Sequence, residues 1–153
     1  MREIIQANTD DHIILTEITK KSKAYWGYSE DQMNEWSDLL TITKDYIKNN
    51  KVYKLCVNNS VVAYYSYFNI KEDSVRLDNL FVLPESIRKG YGKLLMNDFI
   101  LKIKQSKKAR IILDADPNAQ KFYESFGFEK IGQIETSIKD RFLPIMEKKL
   151  LLS

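Results

Sequence analysis

The sequence predicts one α/β domain over residues 1–153, with a central mixed, mostly antiparallel sheet of about six or seven strands flanked by helices. The length suits a single domain, and no repeat, low-complexity tract or Pro/Gly/Ser-rich linker divides the chain. Segments rich in valine, tyrosine and phenylalanine follow one another in its middle, as in hairpin-connected strands. Strand and helix then alternate, which adds a parallel component to the sheet.

The first third of the chain combines one strand with helices. Residues 2–7 predict a strand, and residues 9–11, Thr-Asp-Asp, offer N-cap chemistry for the helix that follows. A second helix is predicted over 29–39 and a short one over 43–49.

The middle predicts three antiparallel strands. Residues 51–57 and 61–69 flank a turn at Asn58-Asn59-Ser60, and a third strand over 75–83 ends at Pro84.

The last third returns to a helical pattern. Apolar residues recur there every three to four positions, at Leu94, Leu95, Phe99, Ile100 and Ile103. A short strand over 110–113, a short helix over 118–126 and strands over 128–134 and 141–150 complete the domain.

Composition favours a cytoplasmic protein. Cys56 is the only cysteine, so no intramolecular disulfide can form. We read no signal peptide at the N-terminus and no apolar run near the ~20 residues of a membrane span, so no membrane partner is expected. Lysine and arginine exceed the acids by three, and the denser basic patch over 102–110 is typical of a solvated helix end. We therefore expect no nucleic-acid partner.

Residues 80–95 are the most informative stretch. A strand runs through a short loop with Gly90 and Gly92 into an amphipathic helix. Glycines let the backbone approach a ligand closely, and the free N–H groups and dipole of a helix start favour an anion such as phosphate. Cationic side chains surround this anion position: Arg88, Lys89 and Lys93. A Walker loop is excluded because Leu94 follows Gly92-Lys93, and a dinucleotide fingerprint because the third glycine is missing.

A second segment, residues 116–128, predicts a short packed helix. Apolar side chains lie on or beside one helical face, and Gly127 can serve as the C-terminal cap. Those side chains are Ala119, Phe122, Tyr123 and Phe126.

Together the two segments resemble the GNAT (GCN5-related N-acetyltransferase) family, over roughly residues 50–150. The resemblance implies that acetyl-CoA is the co-substrate and that its pantetheine arm pairs with the backbone of the strand before the loop, in a splayed sheet. It also implies that the loop amides hold the pyrophosphate. The cofactor-binding residues so implied are Leu80, Phe81, Val82, Arg88, Lys89, Gly90, Tyr91, Gly92, Lys93 and Asn118.

The resemblance implies transfer of an acetyl group to a primary amine of a small molecule. Tyr123 matches the family tyrosine that protonates the leaving thiolate, and a phenol of pKa ~10 is a proton donor at neutral pH. Tyr123 as a packing residue is the alternative. Asp78 is a candidate base if half-burial raises its pKa; an edge salt bridge with Arg76 or another cation is equally open. No metal is expected.

The acceptor is less well defined. Tyr25, Trp26 and Tyr28, with Trp36, are candidates to line an aromatic acceptor site, because aromatic faces attract ammonium groups; a core role is the alternative. Protein N-termini or lysines as acceptors and a homodimer stay open. So does a catalytically weak acyl-CoA sensor, since Ile87 stands where the family pattern has Gln or Arg.

Overall fold

The computed structural model describes residues 1–136, 138 and 140–150. Its helices are α1 (His12–Ala24), α2 (Glu30–Glu35), α3 (Lys44–Asn49), α4 (Tyr91–Gln105) and α5 (Gln120–Glu124). Its strands are β1 (Arg2–Gln6), β2 (Lys51–Val57), β3 (Ser60–Lys71), β4 (Ser74–Val82), β5 (Arg110–Asp114), β6 (Glu129–Glu135) and β7 (Phe142–Lys149). Within these residues, no helix combines the length and the apolar character that a membrane span requires.

The strands form one sheet with the order β1-β2-β3-β4-β5-β7-β6. The pairs β1–β2, β2–β3, β5–β7 and β6–β7 are antiparallel, whereas β4–β5 is parallel. The predicted α/β class with a mixed, mostly antiparallel sheet flanked by helices is therefore confirmed.

Helix α2 is shorter than the helix predicted over 29–39. Its start matches the prediction, because Ser29 is the N-cap and its hydroxyl accepts from the Gln32 N–H at 3.1 Å. Its end comes early: the N–H of Ser37 donates to the carbonyl of Asn34, a three-residue spacing that tightens the last turn. Periodicity alone did not reveal this stop.

The chain divides into two compact units. The first comprises Met1–Tyr67 and Asn79–Ile100. Its core lies on both faces of β3, since consecutive strand residues point to opposite faces. Tyr64 is buried in the cluster that contains Leu15 and Ile18 of α1, whereas Tyr65 packs against Phe99 of α4 at 5.4 Å between ring centroids. The helices α1 and α4 thus cover opposite faces of β3.

The second unit comprises Phe68–Asp78 and the chain from Leu101 onward. Here β5 lies between β4 and β7 and supplies Ile111 and Leu113 to the core, where Met146 of β7 is also fully buried. A continuous apolar run is typical of a strand whose sheet is covered on both faces.

The parallel pairing of β4 with β5 is short. It joins Ser74 to Arg110, Val75 to Ile111 and Arg76 to Ile112. Beyond these pairs β4 continues to Val82 and β5 to Asp114, where β5 remains paired with β7. In the described residues, the later part of β4 thus has no strand pairing on its β5 side, as expected for a splayed sheet.

Leu15→Ala should destabilise the protein by about 2–5 kcal/mol, because Leu15 is fully buried and its truncation leaves a cavity among packed side chains. The matched control is Ile13→Ala in the same helix, where the side chain is 71% exposed and the expected change lies within about 0.5 kcal/mol. Urea unfolding of both variants measures the difference. Equal destabilisation would contradict the assignment of the buried face of α1.

Candidate functional site

The end of β4 turns backbone polar groups away from β3. The N–H of Leu83 donates to the carbonyl of Val62 at 2.8 Å. Because N–H and C=O of one trans peptide point in opposite directions, the carbonyl of Val82 points away from β3. Ser22 of α1 donates its hydroxyl to this carbonyl at 2.7 Å, across 60 residues of sequence. A buried serine thus fixes the direction of the strand end.

Side chains along the same strand alternate between the two faces. Phe81 is packed against the first unit's core cluster, with its ring 6.1 Å from that of Tyr64. Its side chain is therefore a core residue. Leu80 and Val82 are partly exposed.

The loop after β4 contains two left-handed residues. Arg88 has φ 69° and Gly90 has φ 79°, with Lys89 between them. Only glycine adopts such a φ without cost, so the conformation of Arg88 is strained. Alternation of this kind turns successive N–H groups toward one concave side, which is typical of anion-binding loops. A Cβ at Gly90 would meet nothing within 4 Å, so there is room for a side chain. Glycine is favoured at this position because of the positive φ.

Helix α4 begins directly after this loop. The carbonyl of Gly90 accepts from the N–H of Leu94 at 3.0 Å, so Gly90 begins the first turn. The N–H groups of this turn have no partner within a helix. Tyr91 buries its side chain, whereas the cationic residues Arg88, Lys89 and Lys93 are exposed. Backbone N–H groups and exposed positive charges therefore lie at the same helix start.

Ile87 leaves the fold of this loop intact. It has extended backbone (φ −65°, ψ 150°), it is half-buried, and its N–H donates to the carbonyl of Pro84. The residue that departs from the family pattern thus completes the single helical turn Pro84–Ser86.

In the second unit, Tyr123 is the buried residue of α5. Its ring makes edge contacts with Phe122 and Phe128 at 5.3 and 5.8 Å. Burial, and to a lesser extent the charge of Asp116, raises the pKa of the Tyr123 phenol above its ordinary value. Among the described residues, none forms a hydrogen bond with its hydroxyl. Tyr123 is both packed and a protonated phenol.

Gly127 ends the turn that follows α5, as predicted. It has φ 89°, and the N–H of Phe128 donates to the carbonyl of Tyr123 at 3.2 Å. This cap fixes the backbone of the tyrosine from its C-terminal side.

Asn118 lies in the single turn Pro117–Ala119 before α5. Its backbone N–H and its side-chain Nδ2 both donate to Oδ1 of Asp116 at 2.9 Å. The residue is exposed, and with Nδ2 turned inward its amide oxygen is left to accept a hydrogen bond from a ligand.

The structure corrects two expectations about Asp78. Its side chain is exposed rather than half-buried, so the burial on which its candidacy as a base depended is absent. Arg76 instead pairs with Asp114, at 3.2 Å. Strand proximity in the sequence predicted the wrong partner, because Asp114 reaches Arg76 from the neighbouring strand.

The aromatic residues after α1 form two ring pairs. Tyr25 and Trp26 are stacked at 5.3 Å and are 47% and 49% exposed, so the pair is a surface feature rather than core. Tyr28 packs edge-on against Trp36 at 4.9 Å, and Nζ of Lys23 lies 5.6 and 5.5 Å from these two rings. The chain's own ammonium group thus occupies the aromatic faces at Tyr28. The Tyr25–Trp26 pair is exposed, whereas Tyr28 and Trp36 are half-buried.

For metal ions, no group of three or more His, Cys, Asp or Glu side chains in residues 1–136, 138 and 140–150 has a suitable arrangement.

Sequence reasoning missed Ser22, Asp116 and Arg141. Asp116 carried a local signal, since Asp before Pro-Asn is a common helix-start pattern. Ser22 and Arg141 carried none, because their partners Val82 and Asp116 lie 60 and 25 residues away.

Comparisons with known proteins agree with this geometry. The family model described as an acetyltransferase (GNAT) domain matches residues 26–150. No curated protein sequence matches the chain.

Solved structures match over nearly the whole chain. A PaiA N-acetyltransferase from Thermoplasma acidophilum, in complex with coenzyme A, has a TM-score of 0.80 at 20% identity, covering 98% of this chain and 99% of that one. A ribosomal-protein alanine N-acetyltransferase from Escherichia coli has a TM-score of 0.77 at 20% identity, covering 100% and 96%. An IAA acetyltransferase from Bacillus cereus has 0.70 at 16% identity, covering 98% and 100%. At these identities the likeness establishes the fold.

Ser22→Ala should destabilise the protein by about 1–2 kcal/mol, because the carbonyl of Val82 loses its donor in a partly buried place. Ser106→Ala is the matched control: its exposed hydroxyl also donates to a backbone carbonyl, and water replaces it at little cost. Chemical denaturation compares the two, and a Ser22→Ala variant as stable as Ser106→Ala would mean that the tether is absent in solution.

Proposed function

Because the chain belongs to the GNAT acetyltransferases, enzymes that transfer an acetyl group from acetyl-CoA to an amine, we propose that this protein acetylates a primary amine of a small molecule, with Tyr123 as the general acid. The free hydroxyl of Tyr123 carries the proposal. None of the described residues forms a hydrogen bond with this hydroxyl, and a phenol is protonated at neutral pH, so it can give its proton to a ligand.

We assign the pantetheine arm to the backbone of Leu80 and Val82, along the side of β4 that has no strand partner in the described residues. The carbonyl of Val82, which already accepts from Ser22, has a second lone pair for the arm. The amides from Arg88 to Lys93 hold the pyrophosphate at the start of α4, and the exposed cations add long-range attraction. Asn118 contacts the pantetheine or the thioester region through its outward amide oxygen.

The chemistry then requires two proton movements. As the N–C bond to the acetyl group forms, the amine loses a proton, which passes to water; the exposed Asp78 lacks the burial that the role of base required. As the C–S bond breaks, Tyr123 donates its proton to the sulfur, so that the thiol form of CoA leaves. The phenol regains its proton from water.

The Tyr25–Trp26 pair supports a small acceptor. These stacked rings expose an aromatic surface that can bind an ammonium group or a flat apolar body. The Tyr28–Trp36 pair, occupied by Lys23, is a poorer place for a second cation. We therefore place the acceptor contact at Tyr25 and Trp26, and assign Tyr28 a supporting role.

Tyr123→Phe should lower kcat by about 10²-fold or more, because it removes the proton donor but keeps the packed ring. The KM for acetyl-CoA should stay within about twofold, since the phenol acts only as bonds change. Tyr67→Phe is the matched control, because its phenol is buried to a similar degree and lies in the other unit. The assay is release of the CoA thiol with a panel of small amines, N-terminal peptides and lysine peptides.

Full activity of Tyr123→Phe would contradict the general-acid role and leave the family assignment intact. Turnover with peptides and with none of the small amines would show that the acceptor is a protein N-terminus or lysine rather than a small molecule. Tight acetyl-CoA binding without turnover of any amine would favour the sensor.

A further inference from the structure

Asp116, next to α5, bonds two described residues through its carboxylate. Its Oδ1 accepts the two hydrogen bonds from Asn118, and its Oδ2 accepts from Nη2 of Arg141 at 3.1 Å. The side chains of Asp116 and Arg141 are only 13% and 12% exposed. Charge-assisted bonds in such a setting are stronger than surface ion pairs. Both carboxylate oxygens are therefore committed.

Arg141 is itself held in place by its backbone. Its N–H donates to the carbonyl of Ile138, and its carbonyl accepts from both the N–H and the hydroxyl of Thr136. The guanidinium is thus a fixed partner of Asp116 rather than a mobile charge. The ion pair ties the residue before β7 to the turn that begins α5.

Asp116 also lies close enough to Tyr123 to act on its charge state. Its carboxylate is the second cause, after burial, of the raised pKa of the phenol. One side chain therefore contacts the proposed cofactor ligand Asn118, anchors Arg141 and influences the proposed acid.

We propose that Asp116 is a positioning residue of the acetyl transfer: Oδ1 holds Asn118 in the conformation that meets the cofactor, and Oδ2, through Arg141, fixes the turn from which the tyrosine helix begins. The inference rests on the function proposed above. Each carboxylate oxygen of Asp116 has its own role: Oδ1 supports the affinity for acetyl-CoA, and Oδ2 supports turnover.

Three variants separate the two roles. Asp116→Ala removes both and should weaken acetyl-CoA binding about tenfold, the effect of one or two lost hydrogen bonds. Asp116→Asn keeps a carbonyl oxygen for Asn118 and should restore affinity to within about twofold, while kcat stays at least about fivefold low because the pairing with Arg141 is lost. Arg141→Gln should leave the affinity for acetyl-CoA within about twofold of wild type and should lower kcat at least about fivefold, as in Asp116→Asn. Calorimetric titration of acetyl-CoA and initial-rate kinetics measure these values.

Asn118→Ala is the control in the same titration, and it replaces Asp116→Ala should that variant not fold, because it removes the same contact from the other side. If Asp116→Asn binds acetyl-CoA as weakly as Asp116→Ala, or if Arg141→Gln keeps full kcat, the proposal is overturned. Wild-type affinity in Asn118→Ala would also overturn it. Failure of the proposed function gives a different result, namely full turnover by Tyr123→Phe. In that case the acetyl-CoA affinities of the Asp116 variants still test the present inference.

Discussion

The early end of the β4–β5 pairing is the constraint on which the functional geometry depends. In the part of the chain that the structure describes, the two parallel strands pair over Ser74–Arg76, and beyond that point β4 continues without a strand partner on its β5 side. The last paired residue, Arg76, bonds Asp114 through its side chain. Unpaired backbone groups are costly when buried and invite another extended chain when they are accessible. A pantetheine arm, extended and rich in amides, suits such an edge.

Two kinds of support keep this edge usable. Ser22 fixes the carbonyl of Val82 from α1, and Phe81 anchors the strand in the core beside Tyr64. The loop that follows stores backbone strain at Arg88, whose φ of 69° a glycine would adopt freely. The helix start that results presents N–H groups and positive charge together, which a pyrophosphate requires.

The sequence predicted the sheet, its strands and the glycine loop, because each has a local signature of periodicity or turn chemistry. It also indicated Tyr123 and its Gly127 cap through the spacing of a short amphipathic helix. It could not predict that Arg76 pairs with Asp114, that Lys23 lies over the rings of Tyr28 and Trp36, or that Arg141 holds Asp116. These contacts are set by tertiary packing, and nothing in local sequence encodes them.

The central claim is that the end of β4 and the glycine loop form an acetyl-CoA site, and thermal unfolding with added ligand tests it most directly. Acetyl-CoA and CoA at about 100 times their dissociation constants should raise Tm by several degrees, whereas ATP and NAD should not. Gly90→Ala should largely lose this shift, and Gly27→Ala, which has a similar φ of 86° and open space around it, should keep it. No shift with millimolar acetyl-CoA, or an equal shift in both glycine variants, would contradict the account.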